Sequence, residues 1–327
     1  KGYRAVMDLN FEFDDSSLAA KLCGVKDSNI KEIEKSLGVS IVPRGNVLMI
    51  SGDDTGVENA NSLMHLMSDY LHDKDDSFEF DPFDLRYLID MSRQGIKIRP
   101  EDISRLKVKI PDTGKTVYPK SYTQAHYLSE ISKKSIVFGV GPAGTGKTYL
   151  AVAAALREYY AQKVSRIILT RPAVEAGESL GYLPGDFMQK INPYLRPLYD
   201  ALFDLMSYEK VTRLIENNTI EIAPLAYMRG RTLNNAFIIL DESQNTTKSQ
   251  MKMFLTRLGN NSKMVISGDA TQIDIDKPSQ SGLLHSMKIL RGIKEISFVE
   301  FSPEDICRHP VVQKIVSAYD AEAGENK

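Results

Sequence analysis

The chain has 327 residues, of which 42% are hydrophobic and 26% are charged, and its formal net charge is −2. This composition is typical of globular proteins and excludes a disordered or collagen-like chain, while the length predicts about two domains. No apolar run approaches the roughly 20 residues that cross a bilayer, so we expect no membrane partner. Cys23 and Cys307 are the only cysteines, and we expect two buried thiols in a reducing cytosol, not a disulfide or a zinc cluster.

Residues 1–74 are predicted to form a small α+β domain with the element order β-α-α-β-β-α. The run RAVMDLNFEF alternates as a strand does, and VSIVPRGNVLMISGD reads as two strands joined by a tight turn. Apolar residues three to four positions apart predict two short helices between these strands and a longer helix from Gly56 to Leu71.

This element order, with LCGVKDSNIKEIEKSLGVSI inside it, resembles a KH domain, which binds single-stranded RNA. The KH clamp is Gly-x-x-Gly, whereas Gly24 is followed here by Val25, Lys26 and Asp27. Asp27 places a carboxylate where an RNA phosphate would lie. We therefore favour a KH-like fold used for packing or partner contact, and Lys26 and Lys31 keep RNA binding as the alternative.

Residues 75–120 are predicted to be a linker followed by a β-hairpin. The acidic run DKDDSFEFDPFD contains a proline and is typical of a linker. The runs LKVKI and KTVYP flank PDTG, which is a turn sequence. The third predicted domain covers residues 121–327.

The stretch SIVFGVGPAGTGKT, residues 135–148, predicts a phosphate-binding loop. Gly141, Gly144 and Gly146 fit G-x-x-x-x-G-K-[ST], in which glycines let the backbone point its N–H groups at the phosphates. Lys147 would reach the β- and γ-phosphates, and the Thr148 hydroxyl would bind Mg²⁺. A buried strand before the loop and an alanine-rich helix after it favour nucleotide binding over a structural turn. The predicted ATP-binding residues are Gly141, Pro142, Ala143, Gly144, Thr145, Gly146, Lys147, Thr148 and Tyr149.

Gln124 is a further candidate for nucleotide binding, because it lies on the predicted helix TQAHYLSEISKK just before the loop. In helicases and related ATPases a glutamine at this place contacts the adenine edge. A solvent-facing glutamine on a helix is the equally weighted alternative.

Short apolar runs alternate with helical patterns after the loop, and this predicts a parallel sheet with helices on both faces. The runs are RIILT, IEIAP, FIILD, KMVISG and ISFVEF. In such sheets the chemistry lies at the carboxyl ends of the strands, where Arg171, Asp241, Glu242 and Asp269 occur.

The run FIILDESQN is a Walker B strand, and Asp241 is predicted to bind Mg²⁺ through its water shell. Glu242 would orient and deprotonate the attacking water. Capping of the next helix is the alternative role for these carboxylates. In SGDATQID, Asp269 and Gln272 resemble the superfamily 1 helicase motif in which a polar side chain touches the γ-phosphate.

Together, GPAGTGKTYLA, TRPAVEAGESLGYLPGD, YMRGRTLNNAFIILDESQN, QMKMFLTRLG and SGDATQID resemble the PhoH family of phosphate-starvation-inducible ATPases. The resemblance covers Tyr122 to about Ala318, and the KH-like part matches the long bacterial form. It implies a RecA-like, P-loop NTPase of α/β class that is cytoplasmic, related to helicases and tied to RNA. It also implies an endoribonuclease partner in ribosomal RNA maturation.

Too few residues follow Gly268 for a second RecA-like domain, which in superfamily 1 helicases supplies an arginine to the γ-phosphate. We therefore expect a homo-oligomer, with a hexameric ring as the usual RecA-like outcome, in which a neighbour donates the arginine. Arg257 is the favoured candidate. The others are Arg229, Arg231 and Arg308.

The leading interpretation is Mg²⁺-dependent ATP hydrolysis coupled to RNA binding or remodelling. The alternative is a nucleotide-gated assembly module that positions a partner ribonuclease. A small-molecule kinase is a third hypothesis, which Glu242 weakens because a carboxylate beside the Walker B aspartate suits water activation. The loop Thr170-Arg171-Pro172-Ala173, with Gly177, Gly181 and Gly185, is assigned to RNA or to the subunit interface.

Overall fold

The computed structural model describes residues 7–13, 15–72, 80, 82–93, 107–172, 187–275 and 277–307, together with positions 311 and 315. The chain divides into two compact units. The first comprises Lys1–Lys107 and Tyr118–Tyr122, and the second comprises Val108–Val117 and Thr123–Lys327. Within the described ranges, no helix is both long and apolar enough to cross a membrane.

The first unit contains a three-stranded antiparallel sheet in the order β1-β3-β2. Its strands are β1 (Met7–Glu12), β2 (Ser40–Arg44) and β3 (Val47–Gly52). Its helices are α1 (Ser16–Cys23), α2 (Ser28–Leu37), α3 (Asp54–His72) and α4 (Pro82–Arg93). The predicted order β-α-α-β-β-α is present, and the apolar residues that predicted the helices form the core, with Leu22, Ile33 and Leu63 fully buried. The KH assignment itself stays a prediction.

The turn at the place of the KH clamp has an unusual backbone. Gly24, Lys26 and Asp27 have φ angles of 74°, 55° and 57°, in the left-handed range that L residues rarely adopt. Val25, Lys26 and Asp27 are exposed on this turn, and the Lys31 ammonium donates to the Lys26 carbonyl at 3.0 Å. The turn is therefore formed without the second glycine, and it presents the Asp27 carboxylate to solvent.

The predicted hairpin is present as β4 (Val108–Lys109) and β5 (Thr116–Val117). We predicted this hairpin as part of the linker region, residues 75–120, whereas residues 108–117 belong to the second unit. Val108, Ile110 and Val117 are buried in the core of that unit, so the hairpin is a part of it.

The second unit is built on a six-stranded parallel sheet in the order β11-β6-β10-β9-β7-β8. The strands are β6 (Ile136–Val140), β7 (Arg166–Arg171), β8 (Ile220–Pro224), β9 (Ala236–Leu240), β10 (Lys263–Gly268) and β11 (Ile296–Glu300). The main helices are α5 (Tyr122–Lys133), α6 (Lys147–Tyr160), α7 (Phe187–Leu205), α8 (Tyr208–Glu216), α9 (Lys248–Leu255) and α10 (Gly282–Ile289). The predicted α/β class is confirmed, and the sheet is RecA-like.

Residues along each central strand point alternately into two separate cores. Phe237 and Ile239 pack with α6 on one face, while Ile238 and Leu240 pack with α9 on the other. Both faces are covered, which explains why these strands are apolar without alternation in the sequence. The alanines of α6 are fully buried, because small side chains let this helix lie close to the sheet. The packing fixes the position of the loop that precedes α6.

Candidate functional site

The loop between β6 and α6 has the backbone that its glycines predict. Gly141, Gly144 and Gly146 have φ angles of 151°, 84° and 78°, which side chains disfavour. A Cβ atom on Gly141 would also lie 2.4 Å from the Phe301 carbonyl oxygen. No larger residue can occupy position 141 without a shift of Phe301, which follows β11.

The loop is tied to the neighbouring strand β10. The Gly141 N–H donates to the Gly268 carbonyl at 3.1 Å, and the Ala143 N–H donates to Asp269 Oδ2 at 3.1 Å. Asp269 Oδ1 accepts from both the N–H and the hydroxyl of Thr271. The Asp269 carboxylate thus holds the loop through the Ala143 N–H. Its contact with a γ-phosphate stays a prediction. Gln272 is exposed and lines the same cavity as the loop.

Gln124 lies under the loop and is 3% exposed, so the solvent-facing alternative is wrong. Its Nε2 donates to the Thr145 carbonyl at 3.0 Å and lies 3.4 Å from Cys307 Sγ. Gln124 therefore holds the loop backbone, and its contact with adenine stays a prediction. Cys23 is buried as expected, but Cys307 is exposed, because it follows the last strand and covers the loop instead of entering a core.

Lys147 is folded back onto its own loop and is 8% exposed. Its ammonium donates to the carbonyls of Gly141 and Pro142, both at 2.7 Å, and to Thr145 Oγ1 at 3.1 Å. These acceptors are neutral. Phosphate oxygens form stronger, charge-assisted bonds with an ammonium, so a bound nucleotide can draw the lysine away from the carbonyls.

Thr148 and Asp241 meet at the centre of the site. The Thr148 hydroxyl donates to Asp241 Oδ1 at 2.6 Å, and the Ser267 hydroxyl donates to the same oxygen at 2.9 Å. Hydroxyl and carboxylate oxygens are the ligands that Mg²⁺ takes alongside substrate phosphates. Within the described ranges, no cluster of three His, Cys, Asp or Glu side chains could hold a metal without such phosphates. The pair fits a magnesium ion that arrives with a nucleotide.

Glu242 follows directly and has a left-handed backbone, with φ of 52°. Its Oε1 lies 3.1 Å from Arg171 Nη2, and its Oε2 accepts from Gln244 Nε2 at 2.5 Å. The short helix after it, Ser243–Asn245, receives no side-chain cap from Glu242, so capping does not explain this residue. Gln244 was not predicted to take part in the site, although it stands in the Walker B run. The assignment of the Arg171 loop to RNA or to the subunit interface stays a prediction, and the contact of Arg171 with Glu242 was not predicted.

Lys147, Thr148, Asp241 and Glu242 line a cavity of about 470 Å³, which is the size of an ordinary small-ligand pocket. One wall comes from α7, and no sequence signal identified it because its residues belong to no motif. The wall residues are Pro197, Asp200, Ala201 and Asp204. Tyr149 also lines the cavity, and its hydroxyl donates to Asp204 Oδ2 at 2.8 Å. Hydrogen bonds from Lys115 and then Tyr149 lower the pKa of Asp204, so this carboxylate stays charged.

Arg257 lies outside this cavity lining and is half-buried. Its guanidinium donates to the carbonyls of Met253 and Arg231 at 3.0 and 2.9 Å and to Thr256 Oγ1 at 3.1 Å. Its assignment as a catalytic residue stays a prediction.

The other arginine candidates differ in their surroundings. Arg231 is paired with both carboxylate oxygens of Glu221, whereas Arg229 is exposed. Arg308 lies outside the described residues, as do Ala173, Gly177, Gly181 and Gly185.

The glycine loop, the strand order and the paired carboxylates define a P-loop NTPase with a RecA-like core. The family model described as PhoH-like protein matches residues 116–320. The PhoH-like protein of Bacillus subtilis (strain 168) is 45% identical over 315 residues, which are 96% of this chain and 98% of that protein. The chain belongs to the PhoH family.

Two further relatives match different fractions of the chain. The PhoH-like protein of Mycobacterium tuberculosis (strain ATCC 25618 / H37Rv) is 46% identical over 302 residues, covering 92% of this chain and 85% of the relative. Protein PhoH of Escherichia coli (strain K12) is 42% identical over 205 residues, covering 62% and 58%. The match over nearly the whole chain with the first relatives confirms the family that the motifs indicated.

Lys147→Ala is predicted to weaken ATP binding by at least about ten-fold, because charge-assisted hydrogen bonds contribute roughly 1.5–3 kcal/mol. Binding is measured by titration calorimetry. Lys263→Ala is the matched control, since the Lys263 ammonium likewise makes three hydrogen bonds, all to backbone carbonyls, but lies at the amino end of β10. Equal affinity in the Lys147→Ala and parent chains would contradict the assignment of the loop.

Proposed function

We propose that this protein is a Mg²⁺-dependent ATP hydrolase whose cycle is coupled to RNA binding or remodelling. The main support for hydrolysis is the contact of Thr148 with Asp241 at 2.6 Å. Glu242 is next in the chain and lines the same cavity. A phosphate loop, a metal-binding pair and an adjacent carboxylate are the groups that hydrolysis of a γ-phosphate requires.

In this proposal, the N–H groups of the loop and the Lys147 ammonium bind the β- and γ-phosphates. Thr148 and Asp241 would hold a Mg²⁺ ion, which would offset the charge of the phosphates. Glu242 accepts a proton from a water molecule as the water oxygen bonds to the γ-phosphorus and the bond to the ADP oxygen breaks. The products are ADP and phosphate, and Glu242 returns its proton to solvent.

The RNA part of the proposal rests on the family resemblance and on SGDATQID, which resembles a helicase motif that couples γ-phosphate loss to movement. The first unit has the element order of KH domains but lacks their glycine clamp, so we favour it for packing or partner contact. We place the protein in the cytoplasm, with an endoribonuclease of ribosomal RNA maturation as a candidate partner. These elements extend the family resemblance, and the ATPase site does not depend on them.

The test is phosphate release with and without single-stranded RNA, with the mass of the assembly measured under the same conditions. We expect hydrolysis that needs Mg²⁺, rises with RNA, and falls by about 10² or more in Glu242→Gln while ATP still binds. Near-parent hydrolysis by Glu242→Gln would refute the assignment of the base. If the protein assembles only with nucleotide and RNA does not change the rate of phosphate release, the result would favour the alternative, a module that positions a ribonuclease.

We further propose that hydrolysis requires a homo-oligomeric ring, for which a hexamer is the usual RecA-like form. Among the arginines that the structure describes, Arg171 is the one that lines the cavity, and it is bound to Glu242. An arginine from a neighbouring subunit would supply the charge for the γ-phosphate. Arg229 is the better placed candidate, because it is exposed while the Arg257 guanidinium is bonded within its own chain.

Subunit mixing identifies the arginine. An arginine finger contributes about 10³ to 10⁵ in rate, so Arg229→Ala and Glu242→Gln chains should each be nearly inactive alone. Mixed rings contain sites with an intact base and an intact neighbouring arginine, and activity should return. Recovery with Arg257→Ala instead would restore the assignment from sequence, and full specific activity in a dilute monomer would contradict the requirement for a ring.

A further inference from the structure

We propose that Arg171 is a positioning residue that ties the general base Glu242 to helix α7, so that the location of α7 sets the orientation of the base. This inference rests on the proposed function, because it assumes that Glu242 activates water. The sequence assigned Arg171 to RNA or to a subunit interface, and the structure gives it a different set of partners.

Arg171 is the last residue of β7 and bridges two elements. Its Nη2 lies 3.1 Å from Glu242 Oε1, and its Nη1 donates to the Tyr194 carbonyl of α7 at 3.0 Å. The Arg171 side chain is 21% exposed and that of Glu242 is 34% exposed, so the pair is only partly screened by water. A guanidinium is a rigid fork, and it can therefore hold both acceptors in one fixed geometry.

The second oxygen of Glu242 is held from the opposite side by a fixed group. Gln244 is fully buried, and its Oε1 accepts the Asp269 N–H at 3.0 Å while its Nε2 donates to Glu242 Oε2. Gln244 is thus anchored to the segment after β10. One oxygen of the Glu242 carboxylate is thus held by Gln244, and the other by the Arg171 guanidinium, whose second partner is on α7.

The C-terminal end of helix α7 is held by contacts with the hairpin. Its last residue, Leu205, accepts a hydrogen bond from the Thr113 hydroxyl at 3.0 Å, and Asp204 is 2.6 Å from the Lys115 ammonium. Both donors lie in the hairpin turn between β4 and β5. Leu195, Leu198 and Leu202 of α7 are also buried in the core, so the helix presents the Tyr194 carbonyl to Arg171 from a fixed position.

The experiment compares Arg171→Met with Arg171→Lys, and with Arg166→Met as the matched control. Arg166 lies at the other end of β7, and its guanidinium also donates to a backbone carbonyl, that of Asn234 at 3.3 Å. We expect Arg171→Met to lower kcat by about 10- to 100-fold, the effect of a misplaced catalytic group, with ATP affinity changed less than about two-fold. Arg171→Lys should not restore kcat, because one ammonium cannot reproduce the fork. Arg166→Met should keep the parent kcat.

Double variants separate positioning from a merely structural role. If Arg171 acts through the Glu242 carboxylate, Arg171→Met should cause no further loss of the residual rate in a Glu242→Gln chain. An equal loss in both backgrounds, a fall in ATP affinity, a higher kcat in Arg171→Met or full rescue by Arg171→Lys would each overturn the proposal. Failure of the proposed function is distinguishable, because Glu242→Gln alone would then keep the parent rate.

Discussion

The site depends on one contact, the 2.6 Å hydrogen bond from the Thr148 hydroxyl to Asp241. Thr148 lies in the first turn of α6, directly after the loop that follows β6, and Asp241 follows β9, with β10 between the two strands. The two residues therefore come from either side of β10, and the hydroxyl of Ser267, on that middle strand, donates to the same carboxylate oxygen. The parallel order of the sheet thus brings three separate chain segments to one oxygen atom. Lys147 and Glu242 flank this point, and their positions follow from it.

Much of the fold could be predicted because local patterns encode it. Apolar runs marked the strands of the parallel sheet, glycines marked the loop, and the three- to four-residue spacing marked the helices of the first unit. The roles proposed for Lys147, Thr148 and Asp241 follow from their place in a motif, and the structure brings all three together. In each of these cases the residue and its structural partner are linked by a short segment or by strand order.

The side-chain partners of other residues could not be predicted, because they come from distant segments. Gln124 bonds to Thr145 and Cys307, and Arg171 bonds to Tyr194, which is on a helix without a recognisable motif. The spacing of residues in the sequence places a side chain on an element but does not say what faces it. Arg257 illustrates this limit, since its position at a helix end suggested a side chain at a subunit edge, and the carbonyls that its guanidinium contacts were not predicted.

The most direct test of the account is a crystal structure with a non-hydrolysable ATP analogue and Mg²⁺. We expect the Lys147 ammonium to leave the carbonyls of Gly141 and Pro142 and to contact phosphate oxygens, with Thr148 and Asp241 at the metal. Phosphates bound elsewhere, with Lys147 still on those carbonyls at 2.7 Å, would contradict the central claim that this loop binds the nucleotide.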